Sequence, residues 1–162
     1  MNQSDTQQAQ ELVFERVLDA PRERVWQAWT DPEHIKQWWG PKDFTAPSIE
    51  SDFREGGKYL WAMKSPEGQE YWSTGTFHEI VPMERLVVTD SFADEKGNVV
   101  PPSHYGMEGD HPMEGRVTVT FEELDGKTKL TVRYAGMAPS ETRDMAEQGW
   151  NETLDKLAAS LA

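Results

Sequence analysis

Two segments of this sequence contain groups of side chains that could bind a metal or transfer protons. His104, Asp110 and His111 share one loop, but their spacing matches no compact set of metal ligands. Glu50, Asp52 and Arg54 alternate along a predicted strand and so share one face of it, where a buried carboxylate could act in acid-base chemistry. A row of solvent-exposed charges is the simpler interpretation. We therefore expect no metal, no cofactor and no catalytic residue in either segment.

Motifs for nucleophilic and phosphate chemistry are also missing. The sequence has no G-x-S-x-G turn, no phosphate-binding glycine loop and no cysteine. Without cysteine there are no disulfides and no thiolate ligands, which is consistent with a cytoplasmic protein. If the protein nevertheless acts on an enclosed ligand as an enzyme, Glu79, His104 and Tyr105 are the polar side chains to examine first.

Large aromatic and methionine side chains suggest a different chemistry, the enclosure of a flat or aliphatic molecule. In the predicted strand 58–64 the odd-numbered residues are large and apolar, so we expect this face to look inward. Similar side chains from other segments would complete the wall of a cavity. The predicted ligand-binding residues are Trp39, Tyr59, Trp61, Met63, Phe77, Tyr105, Met107, Met145 and Trp150. The alternative for each is an ordinary place in the core, where such residues usually lie.

Two short helices are predicted in segment 20–41, which contains four of the tryptophans. Pro21 suits the first turn of one helix, and Thr30 and Glu33 have the spacing of a capping box at the start of the next. Gly40, followed by a proline, ends the second helix. Because exposed tryptophans favour association, both helices need a large concave surface to pack against.

Most of the remaining chain before residue 136 has the alternation and the turn residues of an antiparallel sheet. Strands are predicted at 12–18, 45–54, 58–64, 70–80 and 85–92. Asp125-Gly126 is a favoured two-residue hairpin turn, and it sets which residues of the last two strands face each other. The predicted pairs are Phe121 with Leu130, Val119 with Val132 and Val117 with Tyr134 on an apolar face, and Glu122 with Lys129 and Thr120 with Thr131 on a polar face. The apolar face must be covered.

The covering element is a long helix predicted at 141–161. Its apolar stripe consists of Trp150, Leu154, Leu157 and Leu161. Gly149 would weaken this helix by about 1 kcal/mol relative to alanine, so we expect a close backbone approach there or space kept for another group.

Segment 94–113 is too long for a hairpin turn. One hypothesis makes it a lid, in which Tyr105 and Met107 close the mouth of the cavity. The alternative is a surface insertion without a role.

Length and charge limit the possible partners. With 162 residues the chain fits one domain, which we place at 11–162 after a disordered polar tail at 1–10. Its 16 basic and 29 acidic side chains give a net charge of -13, which repels nucleic acid and anionic membranes. No apolar stretch is long enough to span a bilayer. The edge strands of the sheet would permit a homodimer.

Five short motifs occur in an order typical of one family. They are Ala20-Pro21, Trp38-Trp39-Gly40-Pro41, Gly56-Gly57, Glu79-Ile80-Val81-Pro82 and Gly149-Trp150. Together with the order of the predicted elements, they resemble the family named after the activator of the heat-shock protein 90 ATPase, a branch of the START-like (SRPBCC) superfamily. The resemblance implies an α+β helix-grip fold, in which a curved antiparallel sheet of about seven strands wraps around the long C-terminal helix. It also implies a cavity between the sheet and that helix.

The resemblance implies a function in binding. Members of the wider superfamily bind lipids, hormones or polyketides, and some of them transform these ligands. We therefore expect a site for a small hydrophobic, lipid-like molecule in the cavity, with desolvation as the driving force. Two alternatives stay open: a co-chaperone that stimulates a chaperone ATPase in the stress response, and an enzyme of cyclase or hydrolase type that acts on the enclosed ligand.

Overall fold

The computed structural model describes residues 11–106, 114–135 and 141–161, and the predicted tail at 1–10 lies outside these ranges. The elements follow the predicted order, and the predicted bounds of the strands differ from the observed ones by at most three residues. In chain order they are β1 (Leu12–Leu18), α1 (Arg22–Thr30), α2 (Pro32–Ile35), β2 (Thr45–Ser51), β3 (Lys58–Lys64), β4 (Glu70–Val81), β5 (Arg85–Ala93), a 3₁₀ turn (Pro102–Tyr105), β6 (Gly115–Leu124), β7 (Lys127–Ala135) and α3 (Glu141–Leu161). Among the described helices, none has the length and apolar character needed to cross a membrane.

The seven strands form one antiparallel sheet in the order β1-β7-β6-β5-β4-β3-β2. β2 to β7 are therefore a meander, and β1, which precedes the two short helices in the chain, pairs with β7 at the other edge. The sheet curls into a half-barrel around the C-terminal helix, which confirms the predicted α+β helix-grip fold.

The last hairpin has the predicted register. All five predicted pairs occur, from Val117 facing Tyr134 to Glu122 facing Lys129. Asp125 and Gly126 have φ angles of 51° and 82°, as a two-residue turn of this handedness requires. The local turn chemistry therefore sets which face of β6 and β7 is buried.

The two short helices differ from the prediction at their junction. Thr30 is still the last residue of α1, and its hydroxyl donates to the Trp26 carbonyl at 2.9 Å instead of capping α2. Asp31 is the cap, because its carboxylate accepts from the Glu33 N–H at 3.0 Å. α2 ends early, and Trp38 follows it in a turn, where its indole N–H donates to the Ala28 carbonyl at 2.9 Å.

The core lies between the concave face of the sheet and the helices. Leu154, Leu157 and Leu161 of α3 are each at most 2 % exposed, which confirms the predicted stripe. Trp150, at the N-terminal end of this stripe, is half-buried. Full burial of one such leucine contributes about 1.5–3 kcal/mol. The expected close approach at Gly149 is wrong, because a Cβ there would meet only the Pro41 Cγ, at an ordinary 3.5 Å.

Candidate functional site

A cavity lies on the concave face of the sheet, beneath α1 and α3. It has a volume of about 40 Å³, which accommodates two or three water molecules. Five predicted ligand-binding residues line it, and they are Trp39, Tyr59, Trp61, Phe77 and Trp150. The other lining residues are Trp29, Leu86, Val88, Asp90, Val117 and Val119. Its wall is therefore aromatic and aliphatic apart from one carboxyl group and one phenol hydroxyl.

The aromatic wall is a continuous set of ring contacts. The alternation of β3 points Tyr59 and Trp61 inward, with their ring centroids 4.8 Å apart. Trp39 meets Trp61 edge to face at 4.8 Å and Trp150 at 5.9 Å. Trp39 and Trp150 are half-buried, so they are the parts of this wall nearest to solvent.

A lysine from α3 holds the segment that carries Trp39. The Lys156 ammonium donates to the carbonyls of Gly40 at 3.1 Å, Pro41 at 3.2 Å and Phe44 at 3.1 Å. Burial lowers the pKa of Lys156, against a smaller opposite effect of Asp43. These bonds attach the loop between α2 and β2 to the C-terminal helix, and they thereby position the outer wall of the cavity.

The polar side of the cavity is Asp90, which sequence reasoning missed. Its Oδ1 lies 3.1 Å from the Tyr59 hydroxyl, and its Oδ2 lies 3.0 Å from the Tyr134 hydroxyl. Burial raises the pKa of Asp90, while the two tyrosine hydrogen bonds oppose that rise. Burial, followed by the proximity of Asp90, raises the pKa of both tyrosines. The signal for Asp90 was present in β5, where it shares the inward alternation of Leu86 and Val88.

Two glycines make room for these tyrosines. Gly75 pairs with Tyr59, and a Cβ on Gly75 would lie 2.9 Å from the Tyr59 ring and 1.8 Å from the Thr89 carbonyl oxygen. Gly115 pairs with Asp90, and a Cβ there would lie 2.6 Å from the Tyr134 hydroxyl oxygen. The two phenol rings lie over the glycine positions because neither position carries a side chain.

We call this arrangement the tyrosine–aspartate row. Its members come from five adjacent strands, β3 to β7, and they are Tyr59, Gly75, Asp90, Gly115 and Tyr134. A set of residues that crosses a sheet in this way has no spacing in the sequence that would reveal it, because each strand contributes only one member.

Trp29 supplies a second polar feature of the cavity. This residue lines the cavity and is 7 % exposed, yet its indole N–H has no hydrogen-bond partner among the described residues. An unpartnered buried donor costs about 1–3 kcal/mol, so such groups are rare in folded proteins. Trp29 therefore combines a place in the cavity wall with an indole N–H that has no partner among the described residues.

The other predicted site residues lie elsewhere or outside the described part of the chain. Met63 is on the inward face of β3 but beyond the cavity wall. Tyr105 packs on Tyr71 at 5.3 Å and bonds through its hydroxyl to the Trp72 N–H and the Ala93 carbonyl. Met107 and the Met145 side chain are not among the residues described. Their contact with a ligand, and the role of segment 94–113 as a lid, stay predictions.

The charged side chains considered for chemistry lie at the surface. Glu50 is exposed, and Asp52 forms an exposed ion pair with Arg54 at 2.9 Å. Glu79 forms an exposed ion pair with Arg85. The described residues contain no group of three or more potential metal ligands, and Asp110 and His111 fall outside them.

Comparisons with known proteins agree with this fold over nearly the full chain. A structure from Chromobacterium violaceum has 29% identity and a TM-score of 0.78, covering 94% of this chain and 96% of its own. A solution structure from Arthrobacter aurescens has 29% identity and a TM-score of 0.78, covering 95% and 87%. The AHSA1 protein of Silicibacter pomeroyi has 25% identity and a TM-score of 0.75, covering 93% and 96%.

No functionally curated protein matches this sequence. The sequence profile of the family described as "Activator of Hsp90 ATPase homolog 1-like protein" matches residues 19–162. This match spans the three helices, strands β2 to β7 and the cavity residues described above, and the predicted resemblance is confirmed. The chain belongs to the Activator of Hsp90 ATPase homolog 1-like family.

Proposed function

We propose that this protein binds a small, largely apolar molecule in the cavity between the sheet and the C-terminal helix. The observation that carries the proposal is the aromatic wall, in which Trp39, Trp61 and Trp150 line one cavity. Removal of apolar surface from water contributes about 25 cal/mol per Å², so the binding free energy comes mainly from desolvation. The affinity should therefore change little with salt, in contrast to binding by surface charges.

The cavity is smaller than the ligand sites of most proteins. Its volume of about 40 Å³ compares with roughly 300–1,000 Å³ for typical small-molecule sites. A ligand must therefore displace part of the wall. Trp39 and Trp150 are suited to this movement, since both are half-buried and they contact each other only edge to face. Binding should consequently change the fluorescence of these indoles.

Titration with methylcyclohexane tests the proposal. We expect saturable binding, followed by tryptophan fluorescence and by displacement of an apolar dye, with similar affinity at low and high salt. Val117→Phe would fill the cavity from β6 and abolish binding, and Val88→Ile is a smaller change if that variant does not fold. Leu124→Ala is the matched control, because Leu124 is exposed and lies at the turn end of β6, the strand that also carries Val117. Absence of saturable binding by both methods would refute the proposal.

The family description supports a second candidate, an interaction with a chaperone ATPase. The net charge of -13 would make such an association sensitive to salt. Addition of the protein to a purified Hsp90-type ATPase should raise its rate at low salt if this candidate is correct. An unchanged rate over a wide concentration range would remove it, without consequence for ligand binding in the cavity.

A further inference from the structure

The hydrogen positions around Asp90 can be worked out from the number of donors. The Tyr59 hydroxyl has one hydrogen but two acceptors within reach, the Thr89 carbonyl at 2.9 Å and the Asp90 Oδ1 at 3.1 Å. With an ionised carboxylate, one of these acceptors would need its hydrogen from a water molecule. With a proton on Oδ1, Asp90 donates to Tyr59, Tyr59 donates to Thr89, and Tyr134 donates to Oδ2. The neutral acid therefore satisfies every contact of the tyrosine–aspartate row.

A neutral Asp90 makes the cavity uncharged. No lysine, arginine or histidine in the described part of the chain lines it. A charged ligand would lose its hydration without gaining an opposite charge, which costs several kcal/mol or more. The chemistry of the wall consequently favours an uncharged molecule.

The wall nevertheless contains one acceptor and one donor that are available. In the neutral acid, Oδ1 donates its hydrogen to Tyr59, and Oδ2 accepts from Tyr134 with one acceptor position left. The Trp29 N–H is a donor without a partner among the residues described. A ligand hydroxyl is the smallest organic group that can donate a hydrogen bond to Asp90 and accept one from the Trp29 N–H. A water molecule has the same capacity, and it fits the volume of about 40 Å³ when no ligand is bound.

We propose that the molecule bound in this cavity is an uncharged, apolar compound with a hydroxyl group, which donates to Asp90 and accepts from Trp29. This inference rests on the proposed function, since it specifies the ligand of the same cavity. Aromatic residues enclose the apolar frame, and the hydroxyl replaces water at the polar side. Displacement of that water costs little affinity because the hydroxyl reproduces its hydrogen bonds.

Three matched compounds test the inference: cyclohexanol, methylcyclohexane and cyclohexylammonium. The readout is the ratio of cyclohexanol affinity to methylcyclohexane affinity, which removes the effect of cavity size. Trp29→Phe should lower this ratio about five-fold, the equivalent of one net hydrogen bond. Leu124→Ala, at the exposed end of β6 and outside the cavity wall, should leave the ratio unchanged. Cyclohexylammonium should bind more weakly than cyclohexanol.

A second measurement needs no variant. In the wild-type protein, cyclohexanol should shift the Trp29 indole N–H resonance downfield, and methylcyclohexane should not. If methylcyclohexane binds while neither the resonance nor the ratio responds to the hydroxyl, this inference is wrong and the proposed function stands. Tighter binding of cyclohexylammonium would also overturn it, because an ionised Asp90 would then be required. If none of the compounds binds, both proposals fail.

Discussion

The replacement of Asp90 by asparagine tests the neutral carboxyl group directly. Asparagine has nearly the same shape, and its amide reproduces the donor and acceptor pattern of the neutral acid. The amide nitrogen can donate to the Tyr59 hydroxyl, and the amide oxygen can accept from Tyr134. We therefore expect Asp90→Asn to fold normally, unlike a replacement that leaves a buried tyrosine hydroxyl without a partner.

The expected change in the free energy of unfolding follows from the different proton binding of Asp90 in the native and unfolded states. Burial raises the pKa of Asp90 in the native state, whereas the unfolded chain releases this proton near the ordinary value of 3.8. Between these two pKa values the native state binds more protons, so its free energy of unfolding falls as the pH rises. The contribution of Asp90 is complete below the unfolded pKa and is lost as the pH rises through the folded pKa. The slope of this loss is at most about 1.4 kcal/mol per pH unit.

Urea unfolding followed by tryptophan fluorescence measures this difference across the acidic to neutral pH range. The stability of Asp90→Asn relative to wild type should rise with pH, by up to about 0.5–1.4 M in urea midpoint per pH unit. Contributions from other carboxyl groups occur in both proteins and cancel. A relative stability that is independent of pH, or that falls as the pH rises, would refute the neutral acid.

Asp94 provides a control of opposite sign. It is exposed, and hydrogen bonds from the backbone and side chain of Asn98 lower its pKa. Its contribution to stability is therefore present above the unfolded pKa and is lost as the pH falls through the folded pKa. Asp94→Asn should accordingly lose stability relative to wild type as the pH rises. The same trend in both variants would mean that the measurement does not report the individual carboxyl groups.

Three further predictions concern the framework of the cavity, and thermal or urea unfolding checks each of them. Gly149→Ala should stabilise the protein by about 0.5–1 kcal/mol, because the new Cβ meets only Pro41 at 3.5 Å in a helix that glycine weakens; a loss of stability would contradict this. Gly115→Ala should destabilise it by about 1–3 kcal/mol, because the Cβ would lie 2.6 Å from the Tyr134 hydroxyl oxygen; unchanged stability would mean that the ring can move freely. Lys156→Met should lower the free energy of unfolding by about 1–3 kcal/mol, since the lysine ammonium bonds to three carbonyls at 3.1–3.2 Å. Unchanged stability would show that these bonds do not hold the loop between α2 and β2.

Much of the architecture could be predicted because its causes are local. The Asp125-Gly126 turn determines the register of β6 and β7 through the backbone angles that a two-residue hairpin requires. The strict alternation of β3 determines that Tyr59 and Trp61 look inward. The junction of the short helices was harder, because Thr30 and Asp31 are both good caps and only the backbone path selects Asp31.

The candidate site shows where prediction from sequence reached its limit. Five of the nine predicted lining residues border the cavity, since bulk and apolar character already favour the concave face. Tyr105 has the same character, but its hydroxyl bonds to the strand backbone of β4 and β5, so it packs outside the cavity. Residue type indicates burial, whereas the position within the core depends on neighbours that are distant in sequence.

By itself, the sequence determined the order of the main elements, the buried faces of β3, β6 and β7 and the family, because these follow from periodicity, turn residues and short motifs. Only the tertiary structure brought Tyr59, Asp90 and Tyr134 together across five strands, with two glycines that leave room for the phenol rings. The small volume of the cavity is likewise a tertiary property, since it is the space that remains after large side chains from different elements have packed against one another.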